Sequence, residues 1–525
     1  MLACSIDLEA PAAPWRWEGQ TAGWRRGPGD CIRPLIHPAL ETRAATDGSR
    51  TLIWVRERAA GRSSLLLSPR PTRLAPDAYE RAVQECRDWP LQSIWIETDR
   101  AGATVSTGLG GVCPLYLAHA GGTLSGSWQL MDLDPHLGAD ALDEREVMRL
   151  LTGRIRYGHD TVFSTVKLLS ERSTAHADAA GLCMAYPQEV ERALPDELAE
   201  GVDGEILVKA WEAVAAHAMS RRPLAPTRTA AQLSGGMDST NLAISLAIQH
   251  PGAITACAML IGGDAAAQQI TRRRIVVDRF PFTSDVTVAA SDHPALFPGG
   301  LRRTRPEAIS PLDEPHLEAA DALAQAVRAR ELHTVVCGFG GDEVARWREP
   351  SSIPAPAAVP AWSGPRIRDL LGEVNEGIAP TTVAPETALV ALQVSTPLYA
   401  RRGLWTLAPF TDPDMVDFGR RLPLQWRKDK RLLHDRLALR GLPDDVVNPR
   451  HPENFGPLMD RAIHEYATGL LRSWGNDLHL VDQGFVDAAA LAETVERASI
   501  GPAEARPYRT GLFLITALEL SLRAL

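Results

Sequence analysis

The chain has 525 residues, of which 45% are hydrophobic and 23% charged, and its formal net charge at pH 7 is -10. This composition is typical of a globular protein with more than one core. The acidic balance argues against nucleic acid or an anionic membrane as the main partner. The seven cysteines are scattered and lack metal-binding spacing, which favours reduced thiols in a cytoplasmic protein. We find no signal peptide and no apolar run long enough to span a membrane.

The first part of the chain, up to residue 185, predicts a β-rich layered domain. Turn signals separate its apolar and β-branched runs, as expected for short strands. The predicted strands are 51–57, 93–98, 115–120 and 123–130.

From about residue 200 the pattern changes to helices that alternate with strands. Helical spacing covers 203–219, 239–250 and 321–332, and the intervening strand-like runs are 229–233, 253–260 and 333–338. This order predicts right-handed βαβ units and a parallel sheet. The polar segment 195–204 then divides the chain into domains 1–195 and 200–525, and the proline-rich segment 349–365 predicts a loop.

One tight corner, "SGGMDS" at residues 234–239, follows the predicted strand 229–233, and we expect its helix to begin at Thr240. The two glycines let the backbone approach a ligand, and N–H groups at a helix start bind phosphate. An aspartate in such a site predicts a bridging magnesium ion, so Asp238 is a candidate metal ligand. The sequence lacks the GxxxxGK[ST] pattern of the Walker A loop at this corner.

A second motif, "GFGGDE" at residues 338–343, repeats this design about a hundred residues later. A strand again runs into glycines and then into carboxylates, here Asp342 and Glu343. Since ligands bind beyond the carboxyl ends of parallel strands, we expect Asp238 and Asp342 to share one magnesium ion. Upstream, Asp313 and Glu314 precede another predicted helix.

The order of these motifs resembles the synthetase domain of the asparagine synthetase family, within the ATP-pyrophosphatase superfamily. "SGGMDS", "DEP", "GFGGDE", "APFTDPDMVDFGRRLP" and "KDKRLLHDRLALRGLPDDVV" occur in the family's order across residues 205–460. The resemblance implies an α/β adenine nucleotide α-hydrolase-like (PP-loop) domain with a parallel sheet. In that family ATP activates a carboxylate as its acyl-adenylate, and an amine then displaces AMP.

Carried over by motif, the resemblance assigns ATP, magnesium and a set of site residues. Asp238 and Asp342 would bind the metal, and Lys430 and Arg450 would be catalytic. Lysine is scarce here, with only four among 55 basic residues, and Lys428 and Lys430 lie two apart. The residues expected to bind ATP are Leu233, Ser234, Gly235, Gly236, Asp238, Ser239, Gly338, Gly340 and Gly341. The family's phosphate-contacting lysine is missing from "NPRHPENF" (448–455), and Arg450, His451 and Lys428 are the candidates to replace it.

The amino-terminal region resembles the family's glutamine amidotransferase domain without its chemistry. That Ntn (class II) α+β sandwich uses a cysteine at residue 2, where this chain has Leu2, and Cys4 lies two positions late. Similarity to the domain remains in "TGLGGVCPLYLAHAGGTLSGSWQL" (107–130) and in "GHDTVFSTVKLLSERS" (158–173). We therefore expect a degenerate domain in which Cys4 is an ordinary buried thiol.

A synthetase without glutaminase chemistry takes its amine from elsewhere, and this leaves three hypotheses. The first is a lasso peptide macrolactam synthetase, which joins the N-terminal amine of a core peptide to an acidic side chain. Phe339 and the Gly340-Gly341 doublet favour it, and the resemblance then implies a leader peptidase and a leader-binding protein as partners. The second is an amide ligase that uses ammonia or a small amine, as asparagine synthetases do, or a β-lactam synthetase-like cyclase. The third is a non-catalytic scaffold.

Overall fold

The structure is a computed structural model. It describes the chain except for residues 10–12, 63, 65–67, 188–200, 305–309, 313, 347–358, 381 and 452–453, and it describes residue 264 without its side chain. The described residues form a mixed α/β protein that includes a five-stranded parallel sheet. Three predictions fall wholly or mostly outside the described residues. Asp313 is outside them, as are residues 349–358 of the predicted loop 349–365 and residues 195–200 of the predicted boundary 195–204.

The first part of the chain is β-rich, as predicted. The strands at Thr51–Glu57 and Ser93–Thr98 match their predicted bounds, and the other two are shorter than predicted. Its strands are β1 (Leu2–Asp7), β2 (Arg16–Glu18), β3 (Gly23–Arg25), β4 (Cys31–Pro34), β5 (Leu40–Thr46), β6 (Thr51–Glu57), β7 (Thr72–Arg73), β8 (Ser93–Thr98), β9 (Ala103–Thr107), β10 (Tyr116–Ala120), β11 (Thr123–Ser127), β12 (Val166–Leu168), β13 (Thr174–Asp178) and β14 (Gly181–Ala185). Two helices accompany them, α1 (Pro76–Arg87) and α2 (Glu144–Leu151).

These strands form two seven-stranded sheets. One has the order β12-β10-β11-β1-β4-β3-β2, and the other has the order β14-β13-β9-β8-β6-β5-β7. Pairing is antiparallel except between β5 and β7. Inward residues such as Ile6 of β1 and Ile96 of β8 belong to one hydrophobic cluster, as when two sheets pack face to face. Helix α1 covers the outer face of the second sheet through Tyr79 and Val83.

The remainder of the chain alternates strands and helices. Its strands are β15 (Thr229–Gln232), β16 (Thr255–Leu260), β17 (Ser284–Ala289), β18 (Thr334–Val336) and β19 (Trp405–Leu407). Its helices are α3 (Gly204–Ser220), α4 (Met237–Gln249), α5 (Ala266–Arg279), α6 (Leu301–Thr304), α7 (Leu317–Arg328), α8 (Gly341–Ala345), α9 (Pro365–Leu370), α10 (Glu386–Arg401), α11 (Pro413–Arg421), α12 (Leu424–Arg427), α13 (Arg431–Leu439), α14 (Asp444–Val447), α15 (Gly456–Ala462), α16 (Thr468–Trp474), α17 (His479–Asp482), α18 (Ala488–Ala498), α19 (Pro502–Ala505) and α20 (Arg509–Arg523).

The parallel sheet predicted from the alternation is confirmed. Its strand order is β17-β16-β15-β18-β19, with every neighbouring pair parallel. The chain starts at the central strand β15, builds outward to β17, and then returns to add β18 and β19 on the other side. The order therefore reverses between β15 and β18, and in such sheets ligands bind at the carboxyl ends beside the reversal.

The two faces of this sheet carry different helices. Alternate residues of a strand point to opposite faces, so Ala231 and Val336 pack with α4, whereas Ala230 and Val335 pack with α7 and α10. The right-handedness of βαβ connections explains this division. The chain adds strands in one direction from β15 to β17 and in the opposite direction from β17 to β19, so the connecting helices of the two halves lie on opposite faces. The carboxyl edge of the sheet therefore lies between two differently built helical layers.

Both major hydrophobic clusters contain residues from either side of the predicted boundary. One joins β1 and β8 to Trp211 of α3, and the other joins Phe163 to the carboxy-terminal helices through Phe513. Among the described residues, no helix is both long and apolar enough to cross a membrane.

Candidate functional site

The first loop of the site follows β15 and leads directly into α4. Leu233 is buried, and its N–H donates to the carbonyl of Cys257 at 2.8 Å, which continues the β15–β16 pairing. Gly235 has a φ of +97°, a conformation that favours glycine. Helix α4 begins at Met237, so the prediction of a start at Thr240 was three residues late. Asp238 and Ser239 consequently belong to the first helical turn.

The two serines of this loop hold each other in place. Ser234 Oγ and Ser239 Oγ lie 2.8 Å apart, and the N–H of Gly236 donates to Ser234 Oγ at 3.0 Å. Gln269 of α5, which is fully buried, donates from Nε2 to the carbonyl of Ser234 at 2.7 Å. The loop thus presents the amino end of α4, with the N–H groups of its first turn and its positive dipole end, in a fixed shape suited to an anion.

The second loop, between β18 and α8, packs directly onto the first. A Cβ at Gly338 would lie 2.9 Å from the backbone nitrogen of Ser239, and one at Gly341 would lie 2.8 Å from Asp238 Oδ1. Gly340 is left-handed, with a φ of +90°. Glycine is therefore required at 338 and 341 by close approach and at 340 by backbone conformation. This contact brings the carboxylates of the two loops to one place.

Asp238 and Asp342 both contact Lys430. Lys430 Nζ lies 2.5 Å from Asp238 Oδ2 and 2.7 Å from Asp342 Oδ1. Asp238 is the enclosed carboxylate, with 17% of its side chain exposed, against 56% for Asp342. Lys430 and its neighbour Asp429 both have positive φ angles just before α13, and strained backbone of this kind is concentrated at functional sites.

Asp238 combines burial with an unfilled hydrogen-bonding position. Its Oδ1 is buried and has no hydrogen-bond partner among the described residues. Burial raises the pKa of Asp238 to about 6, Lys430 opposes that rise, and the charges of Asp342 and Glu343 add to it. A buried carboxylate oxygen without a partner costs free energy unless a ligand satisfies it, so this atom is positioned for a cation or a donor.

A cavity of about 740 Å³ opens at this edge of the sheet, with the carboxylates and Lys430 in its wall. Ser234, Gly236 and Ser239 line it from the first loop and Gly338 from the second. Further lining comes from α5, from the segments that contain His434 and His451, and from α7 and α10. The volume is in the range of pockets that enclose cofactor-sized ligands.

The predicted site residues do not all reach this cavity. Arg450 is exposed, and the lining includes its neighbours Pro449 and His451 but not Arg450 itself. Its backbone N–H instead donates to Gln268 at 2.8 Å. Lys428 is also exposed and does not line the cavity. Of the three candidates to replace the missing lysine, only His451 lies in the wall.

Sequence reasoning missed several lining residues. Arg346 lies in the cavity wall with Nη1 3.7 Å from Asp342 Oδ1. His316 also lines it, and its ring stacks on Phe455 with centroids 4.5 Å apart. Gln269 lies on α5, a helix that the sequence analysis did not predict, and Arg346 and His316 had no local signal.

The amino-terminal thiol is buried, as expected. Cys4 lies in β1, is 7% exposed, and burial raises its pKa to about 12. The amino group of Met1 donates to Cys113 Sγ at 3.0 Å. A thiol so rarely ionised near neutral pH is a poor nucleophile.

The residues at this site could hold magnesium only together with the phosphate groups of a bound ligand. Across the described ranges, no cluster of three or more His, Cys, Asp and Glu side chains suits a metal ion. Magnesium, however, is commonly held by one or two carboxylates together with substrate phosphates and water. The unpartnered Oδ1 of Asp238 and the adjacent Asp342 provide such a pair.

No protein-family model and no curated protein sequence matches the chain.

Proposed function

We propose that the chain is an ATP- and magnesium-dependent ligase that joins a carboxylate to an amine, with AMP and pyrophosphate as the other products. The observation that supports this most is the meeting of Asp238, Asp342 and Lys430 beside the amino end of α4, at the reversal point of a parallel sheet. Three charged side chains from distant parts of the chain converge there on a cavity large enough for a nucleotide.

In this proposal each loop has a separate task. The N–H groups at the start of α4, with Ser234 and Ser239, bind the phosphates of ATP. Asp238 and Asp342 would hold magnesium, which supplies positive charge to the phosphate oxygens when bound. Lys430 stabilises the negative charge that develops on the departing pyrophosphate.

The chemistry requires two substitutions. An oxygen of the substrate carboxylate attacks the α-phosphorus of ATP, the bond to the bridging oxygen breaks, and pyrophosphate leaves with that electron pair. The amine nitrogen then attacks the acyl carbon, the bond from that carbon to the AMP oxygen breaks, and the nitrogen loses a proton. ATP is therefore consumed, pyrophosphate and AMP are released, and the product is an amide.

We propose further that the amine belongs to the same peptide as the carboxylate, so that the product is a macrolactam. Cys4 supports this indirectly, because a buried thiol with a pKa near 12 does not suit the release of ammonia from glutamine. Phe339 lies in the cavity wall and has no proton to exchange. A peptide substrate, a leader peptidase, a leader-binding protein and a cytoplasmic location follow from the family resemblance and are part of the same proposal.

The first test is nucleotide binding by isothermal titration with ATP and magnesium. Asp238→Asn should weaken binding at least tenfold, because it removes one of the two charges that hold the metal. Asp278→Asn, an exposed aspartate on α5, is the matched control and should bind as the unaltered protein does. Equal affinity in all three proteins would refute the proposed nucleotide site.

The second test distinguishes the source of the amine. Purified protein is incubated with ATP, magnesium and aspartate, with glutamine or ammonium as the nitrogen donor. No asparagine should form, whereas linear peptides with a free amino terminus and an acidic side chain should lose one water as AMP appears. Asparagine formation would contradict the macrolactam proposal and favour the ammonia-dependent ligase.

A further inference from the structure

The cavity has one wall that differs chemically from the phosphate-binding loops. It is formed by side chains of α7 and α10 together with the residue between the glycines of the second loop. Its members are Leu317, Ala320, Leu323, Val394, Leu398 and Phe339. Val394 and Phe339 are partly exposed, whereas Leu317, Ala320, Leu323 and Leu398 are buried residues at the edge of the cavity, each less than 7% exposed.

This apolar wall lies on the opposite side of the sheet from the start of α4. Leu317, Ala320, Leu323 and Leu398 belong to the cluster that packs on the face of Ala230 and Val335. Helix α4 packs on the other face. The cavity therefore extends across the carboxyl edge of the sheet, from the Asp238–Lys430 pair on one side to an apolar surface on the other.

Two polar side chains of this wall are already bound within the protein. Gln232 Nε2 donates to the hydroxyl of Tyr399 at 2.7 Å, and Ser395 Oγ donates to the carbonyl of Ala391 at 2.7 Å. None of the described lining residues of α7 and α10 is charged. A polar ligand group placed here would lose its water without replacement hydrogen bonds, whereas an apolar group would gain by leaving water.

We propose that the apolar wall is the subsite for an aliphatic or aromatic group of the acyl donor, next to its reacting carboxylate. This inference rests on the proposed function. The acyl donor becomes covalently attached to AMP, so its reacting end must share the cavity with the nucleotide. A purine presents hydrogen-bonding edges that this wall does not match, and the purine is the alternative occupant that the experiment tests.

The experiment uses stable analogues of the acyl-adenylate, the 5′-O-(N-acylsulfamoyl)adenosines, with acetyl and hexanoyl chains. The unaltered protein should bind the hexanoyl compound at least tenfold more tightly, since each fully buried methylene contributes about fourfold in affinity. Ala320→Phe should remove this preference by filling the subsite while ATP affinity stays unchanged. The control is Gln325→Phe, which places the same side chain on the exposed side of α7 and should retain the preference.

Each outcome supports or overturns one statement. Equal affinity for the two chain lengths in the unaltered protein overturns the subsite. Loss of ATP binding in Ala320→Phe, with a normal circular dichroism spectrum, assigns the wall to the purine and also overturns it. If Ala320→Phe does not fold, Leu323→Ala replaces it, and it should weaken hexanoyl binding but not acetyl binding. Failure of both ATP and the acetyl analogue to bind the unaltered protein refutes the proposed function itself.

Discussion

Gly341→Ala tests whether close contact between the two loops is what creates the site. The glycine does not have a positive φ angle and lies at the start of α8, so alanine is compatible with its backbone. The added Cβ would, however, lie 2.6 Å from Asp238 Cβ and 2.8 Å from its Oδ1. Overpacking of this kind costs about 1–3 kcal/mol, and better helix propensity returns about 1 kcal/mol. We therefore expect a loss of up to about 2 kcal/mol in the free energy of unfolding.

Nucleotide binding should suffer more than stability does. Either Asp238 or the second loop must move, and both movements change the spacing between the carboxylates and Lys430. We expect affinity for ATP with magnesium to fall at least tenfold, about 1.4 kcal/mol, in an isothermal titration. Gly469→Ala is the matched control, because Gly469 is exposed within α16 and a Cβ there meets nothing within 4 Å. If Gly341→Ala binds ATP normally and melts at or above the unaltered protein's temperature, the reasoning is wrong.

Three further predictions concern charge, thiols and pH. Lys430→Gln removes the ammonium between Asp238 and Asp342 and leaves only Arg346, at 3.7 Å from Asp342, beside the two carboxylates. Magnesium alone should therefore raise the melting temperature of the variant by a few degrees and leave the unaltered protein unchanged; an equal response would contradict this. Iodoacetamide at about pH 8 should label the exposed Cys183 and spare Cys4, because the pKa of Cys4 near 12 keeps its thiol protonated. Mass spectrometry identifies the labelled cysteines, and labelling of Cys4 in the folded protein would refute this prediction. Burial lowers the pKa of His159 to about 4 from 6.5, so the unfolded chain takes up a proton first and stability falls as pH drops below 6.5. By about pH 5 the free energy of unfolding should fall by about 2 kcal/mol for this reason. Thermal melts of His159→Gln should show a loss on acidification smaller than that of the unaltered protein by this amount, and an equal loss in the two proteins would exclude His159 as the cause.

Much of the fold is encoded locally and could be read from the sequence. The strands at 51–57 and 93–98 have correct bounds because β-branched and aromatic runs end at clear turn signals. The alternation of elements after residue 200 likewise predicted the parallel sheet. The start of α4 was misplaced because Asp238 and Ser239 are common capping residues, whereas Gly236 fills that position here.

The site itself was only partly predictable. Asp238 and Asp342 each follow a strand, and the carboxyl ends of parallel strands lie at one edge of a sheet, so the sequence could place them at the same edge. Lys430 was assigned by the motif resemblance alone: it reaches Asp238 across 192 residues of sequence through a left-handed turn, and no local pattern specifies that turn. Arg450 does not line the cavity, since a motif position does not determine where a side chain points. The apolar wall depends on how α7 and α10 pack, which periodicity does not specify.

The position of Lys430 has a consequence for the order in which ligands enter. A lysine ammonium already offsets the charge of both carboxylates at 2.5 and 2.7 Å. A free magnesium ion would have to compete with it, whereas ATP that already carries the metal offers the ammonium a new anionic partner. Under the proposed function, the chain would therefore admit metal and nucleotide as one complex, and its kinetics would depend on that complex and not on free magnesium.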